Sequence, residues 1–255
     1  MTHAARVAAV DEPDAPYLEI FVVSLASIVL EIGYTRVFSF KLYYYFTYLI
    51  IGLALLGLGA GGVFVTLLPR LRDAALRRLL AYGCALAATS ALLGYFVVAL
   101  VQLDPVRLDK SVAELVRLAL LSVTVFLPFL VTGVMLTRIF AARPDRIARL
   151  YFADLAGAAL GCAVIIPLIW TATPPGCVMV SGALFALGGL RLAAQAARPA
   201  VPWLLGVAAL GVAGALHPQA LPDPVASRRR PSGSTIRGRA QSSSRNGVPS
   251  FASTS

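Results

Sequence analysis

The chain reads as an all-α, polytopic transmembrane bundle of about seven spans followed by a disordered C-terminal tail. Two observations predict this class. Of 255 residues, 58% are hydrophobic and only 13% charged, whereas a soluble domain carries roughly 25% charged residues to wet its surface. The mean hydropathy is +0.80, and the apolar residues fall into stretches near the ~20 residues that carry a helix across a ~30 Å hydrocarbon core.

The first 16 residues form a polar N-terminal segment. Asp11, Glu12 and Asp14 stand where a cleavable signal peptide would be basic, so the first span is expected to stay in the protein. A transmembrane domain follows over 17–217, with spans at 18–38, 44–68, 79–101, 116–138, 150–170, 176–194 and 200–217. Each break is chemically sensible: Pro69 with Arg70 and Arg72, Asp104-Pro105, Arg143-Pro144-Asp145, Pro174-Pro175 and Arg198-Pro199. Proline ends a helix by removing a donor and clashing with the preceding turn. The Tyr43-Tyr44-Tyr45-Phe46 cluster suits an interfacial aromatic belt.

Lys and Arg in the short loops set the expected orientation. Alternate loops hold ten on one side and five on the other, which favours a cytoplasmic N-terminus in a cell membrane. Half of the net charge of +10 lies in the basic tail at 218–255, whose six Arg face one acid, Asp223. Seven full spans put that tail outside, against the charge rule. With no soluble basic domain and no aromatics to stack bases, the high pI does not point to nucleic acid.

Small residues recur at every fourth position: Gly57 and Gly61, then Gly83, Ala87 and Ala91, then Ala153, Gly157 and Gly161. Such ladders let helix backbones approach where lipid removes the hydrophobic incentive to associate. Packing within one chain is favoured over a dimer face. The run at 57–62 has no preceding strand and no following Lys-Ser/Thr, so it is not a nucleotide loop. Cys84, Cys162 and Cys177 form no CxxC pair, and neither a metal site nor a cofactor site is expected.

Charges at membrane depth each need a reason, at about 2.5–3.5 kcal/mol apiece on insertion scales. The candidate intramembrane polar sites are Glu31, Arg36, Arg117, Arg138 and Asp154. Glu31 lies two-thirds along the first span, and Arg36, about 140° further round, does not face it. Arg117 lies at similar depth and is the expected partner of Glu31. Asp154 and Arg138 are expected to pair across the hairpin around Arg143-Pro144. An acid in a first helical turn is also favoured by the helix dipole, a structural reading of Asp154. Arg36 and Arg138 can snorkel. No catalytic residue is identified.

Two segments carry a resemblance. One is Leu30-Glu31-Ile32-Gly33-Tyr34-Thr35-Arg36-Val37-Phe38-Ser39, with the glycine-rich helix that follows; the other runs from Tyr151 through Asp154, Gly157, Ala158 and Gly161 to Cys162. Together they resemble the E-x4-R and Y-x-x-D-x-x-G-A-x-x-G elements of the membrane domain of bacterial membrane-fused spermidine synthase-like proteins. The resemblance implies a soluble aminopropyltransferase-like domain beyond the spans, as a separate or lost partner. Residues 228–255 are a Ser/Arg/Gly run that cannot bury a core. Back-translating 242–250 with GC-rich codons and reading two nucleotides on permits Val-Val-x-Glu-Trp-x-Ser-Phe. That is similar to the W-x-S-F-x-R opening of the family's soluble domain, so the tail is read as a possible frameshifted end.

The expected role is therefore an anchoring or substrate-handling membrane domain that lacks the catalytic part. The alternatives are a small proton-coupled secondary transporter using Glu31, with helix breaks at Pro128 and Pro167, and a ligand-free membrane scaffold.

Overall fold

The structure is a computed structural model that describes residues 16–41, 46–103 and 111–222. The polar N-terminal segment, the Tyr43–Tyr45 cluster, Asp104-Pro105 and the tail from Asp223 onward lie outside the described residues. Among those described there is no strand.

The helices are α1 (Tyr17–Lys41), α2 (Phe46–Leu67), the short α3 (Pro69–Asp73), α4 (Leu76–Leu100), α5 (Val112–Ala142), α6 (Ile147–Ala196) and α7 (Val201–Leu216). Prolines punctuate them as expected. Pro69 opens α3, Pro144 opens a 3-10 turn before α6, and Pro199 sits in the 3-10 turn before α7. Pro128 does not break α5, which runs 31 residues. The Thr132 hydroxyl donates to the Pro128 carbonyl at 2.9 Å. Pro167 likewise lies inside continuous helix. Neither proline opens the helix, so the breaks expected there are absent.

All of these helices but α3 are long and apolar enough to cross a membrane, α7 together with the 3-10 turn before it, over Arg198–Leu216. At 50 residues, α6 would reach about 75 Å as one rod, more than twice the hydrocarbon thickness. It is instead two limbs, 147–172 and 174–196, divided at Thr173, whose φ of 62° and ψ of 164° are not helical. The residue before a proline is pushed out of the α region, and Pro174-Pro175 follow at once.

Packing against α1 gives each limb its direction. Phe21 and Leu25 meet Gly157 and Gly161 in turn, so the first limb runs with α1. Val22 meets Gly188, Ala26 receives the Ser181 hydroxyl, and Gly33 meets Cys177 and Val178, so the second limb runs against it. The α6 stretch is therefore a hairpin of two spans, and the described bundle has seven.

The same register logic orders the rest. α4 runs parallel to α1, and α5 runs antiparallel to α4 and parallel to α2. One face of the bundle thus carries the Tyr17 end of α1 together with α3 and both ends of α6; the other carries Lys41 and Thr173. The first face gathers Arg70, Arg72, Arg77, Arg78, Arg143, Arg146, Arg149, Arg191 and Arg198, with Arg138 one turn below it.

The core is built by close approach. A methyl group at Gly61 would lie 2.5 Å from the Gly133 backbone on α5, and one at Gly57 would lie 2.8 Å from the Phe129 Cβ. Gly52 and Gly59, on other faces of α2, have open space beside them. The five glycines of the three expected ladders, Gly57, Gly61, Gly83, Gly157 and Gly161, lie between helices of one chain. The outer surface is apolar, with Trp170 86% and Phe152 73% exposed, as suits lipid rather than water. Past α7 the chain stays on the bundle as far as Pro222, whose carbonyl accepts the Tyr95 hydroxyl at 2.7 Å.

Candidate functional site

The site is the set of polar groups that the helices carry into the apolar bundle. The expected pairings do not form. Asp154 does not meet Arg138; its carboxylate accepts the Ser24 hydroxyl of α1. The reason is register. α6 begins at Ile147, so Asp154 is its eighth residue, beyond the first turn where the dipole acts. Its position beside Gly157 directs it at α1. Arg138 instead donates to the Ala74 carbonyl at 2.8 Å, and its Nε is buried with no acceptor.

Glu31 and Arg117 do not meet either. Arg117 pairs with Glu114 one turn away at 2.5 Å and donates to the Gln102 carbonyl at 3.3 Å, so its charge is spent on its own end of the bundle. Arg36 is exposed near the Lys41 end and has no hydrogen bond or ion pair among the described residues. Glu31, the fifteenth residue of α1, is half-buried and likewise has neither.

Lys41 is a residue that the sequence reading missed, having counted it only as a loop charge. It is buried at the end of α1, and its ammonium donates to the carbonyls of Val98 and, at 3.1 Å, Ala99. Those carbonyls belong to the last turn of α4, where backbone carbonyls have no N–H donor within the helix and the dipole favours a cation. Only the terminal position of Lys41 hinted at this role; its partner lies some 57 residues away.

Two buried side chains fasten α1 at mid-depth. The Ser181 hydroxyl bonds the Ala26 carbonyl at 2.7 Å, and the Tyr34 hydroxyl bonds the Ala91 carbonyl at 2.8 Å. On the Arg-rich face, a polar cavity of about 430 Å³ is lined by Tyr17, Glu19, Arg77, Arg146, Arg191 and Gln195. Arg77 donates to the Gln195 side chain there at 2.7 Å. No group of three or more potential metal ligands occurs among the described residues.

This geometry defines a class: a multi-pass helical membrane protein whose first helix carries a half-buried carboxylate, Glu31, at mid-depth with no hydrogen bond or ion pair among the described residues. No protein-family model matches the chain, and no curated protein or solved structure matches it either.

Proposed function

We propose that the chain is the membrane domain of a membrane-fused spermidine synthase-like protein, anchoring an aminopropyltransferase-like partner and receiving a small cationic amine at Glu31. Its N-terminus lies in the cytoplasm and its bundle in the cell membrane. The unpaired state of Glu31 carries this reading. Asp154, Lys41, Arg117 and Arg138 all have hydrogen-bond partners, while Glu31 has none among the described residues. A carboxylate held in an apolar bundle without a partner binds a cation or a proton strongly, because water does not compete well for it.

Two further features support the reading. The helices bearing the two resembling segments, α1 and the first limb of α6, are direct neighbours joined by Ser24 and Asp154. The Tyr17 end of α1 shares its face with nine of the ten Arg expected on the inner side.

The test is calorimetric titration of the purified protein in lipid nanodiscs with spermidine and putrescine. Saturable binding is expected, abolished by Glu31→Gln and partly kept by Glu31→Asp. No binding by the native protein, or equal binding by Glu31→Gln, contradicts the proposal. The transporter alternative also rests on Glu31. It is favoured instead if proteoliposomes show substrate-driven proton uptake that Glu31→Gln abolishes. A reading frame for a soluble nucleotide-binding domain immediately downstream in the gene tests the family assignment separately.

A further inference from the structure

A second feature lies away from Glu31, on the outer side of α4 and α5. There the helices α2, α4 and α5 enclose an open groove of about 650 Å³, with Phe64, Leu79, Leu86, Leu130, Val134 and Met135 among its walls. Arg78 is the one charged residue in its lining. From Arg78 to Leu86 the groove follows α4 for about 12 Å, close to half of a ~30 Å hydrocarbon core. Its length is that of one leaflet, and its basic end is at the Arg-rich face.

Two arginines stand at that end. The Arg78 guanidinium lies 5.8 Å from the centre of the Tyr82 ring, which holds it over the groove wall. Met135 of α5 lies against Gly83 of α4, and the two helices are antiparallel, so Arg138 falls level with Leu80, about 3 Å along the axis from Arg78. Arg138 is anchored through the carbonyl of Ala74, itself a wall residue, and its buried Nε has no acceptor. Neither arginine pairs with a carboxylate among the described residues.

We propose that this groove holds an acyl chain of an anionic phospholipid from the leaflet on the Arg-rich face, with the lipid phosphate on Arg78 and Arg138. The apolar walls take the chain, and a phosphodiester supplies the acceptor oxygens that guanidinium groups bind best. A zwitterionic lipid brings its own ammonium into a region already crowded with arginine, so a net negative headgroup is selected.

Native mass spectrometry of the full chain, delipidated in mild detergent and titrated with phosphatidylglycerol or phosphatidylcholine, tests this. Phosphatidylglycerol is expected to bind about tenfold more tightly. Arg78→Gln should erase the preference and Arg138→Gln should weaken it, while Val134→Trp, which fills the groove, should exclude both lipids. If Arg138→Gln fails to fold for want of its Ala74 contact, Arg78→Gln and Val134→Trp still decide. Equal retention of the two lipids by the native protein, or a preference unchanged in Arg78→Gln, overturns the proposal. So does displacement of the lipid by inorganic phosphate alone, since a free anion has no use for the groove.

Discussion

The two limbs of α6 are written in the same apolar alphabet and meet at a single residue, yet they live in different surroundings. In the first limb only Leu150, Gly157, Gly161, Ile165 and Ala172 are buried, with Gly157 and Gly161 set against α1. Tyr151, Phe152, Leu155, Leu160, Ile166 and Trp170 face outward. The second limb is buried on most sides: Val178, Met179, Ser181, Gly182, Phe185, Ala186, Gly189 and Ala193 meet α1, α4 and α7. In a membrane, a lipid-facing position and a core position both accept leucine. Apolar character therefore marks the span but not its place in the bundle. Small residues and hydroxyls mark the place, because they are useful only where another helix backbone comes close.

The largest effect that would break this comparison is expected at Gly157. A Cβ there runs into the Phe21 carbonyl, so Gly157→Leu should cost about 3 kcal/mol or prevent assembly. Gly206 on α7 has open space, and Gly206→Leu should change stability by less than about 0.5 kcal/mol. Thermal unfolding in detergent measures both. A comparable pair contrasts the limbs directly. Phe185 is fully buried and Phe152 is 73% exposed. Phe185→Ala should lose about 2–3 kcal/mol, mostly from the cavity it leaves, and Phe152→Ala should lose little.

The bend between the limbs is the next lever. A β-branched residue at φ 62° and ψ 164° occupies a region used almost only by glycine. Thr173→Gly is therefore expected to raise stability by about 1 kcal/mol, seen as a higher unfolding temperature. A drop would mean that the Thr173 side chain contributes more than its backbone costs. The smallest expected effect is at Ser181. Losing its bond to the Ala26 carbonyl in Ser181→Ala should cost about 0.6 kcal/mol, the usual value of such a bond between membrane helices.

The spans were legible because length, hydropathy and proline all act locally. Pro174-Pro175 marked the α6 hairpin to within one residue, since a proline constrains the residue just before it. The glycine ladders were legible for the same reason that they pack. Gly133, the residue that Gly61 actually meets, stands without a ladder of its own and was not read. The polar pairings were not legible. Depth alone made Glu31–Arg117 and Asp154–Arg138 reasonable, but a pairing also needs azimuth and neighbour. A start for α6 three residues earlier than expected moved Asp154 out of the first turn and onto Ser24. Arg117 was taken by its own helix, and Lys41 found its partners in the last turn of α4. Nothing within either helix encodes which neighbour it will meet.

The central claim is that α6 crosses twice, which makes seven spans and puts Tyr17 and Leu216 at opposite faces. Single-cysteine labelling tests it most directly, with Cys84, Cys162 and Cys177 first replaced. Cysteines are placed one at a time at Ser111, Arg146, Thr171 and Arg198, and intact cells are treated with a membrane-impermeant maleimide. The account predicts that positions 111 and 171 label from one side and positions 146 and 198 from the other. Opposite-side labelling of 146 and 198, with 171 shielded from both, would make α6 a single crossing and contradict it.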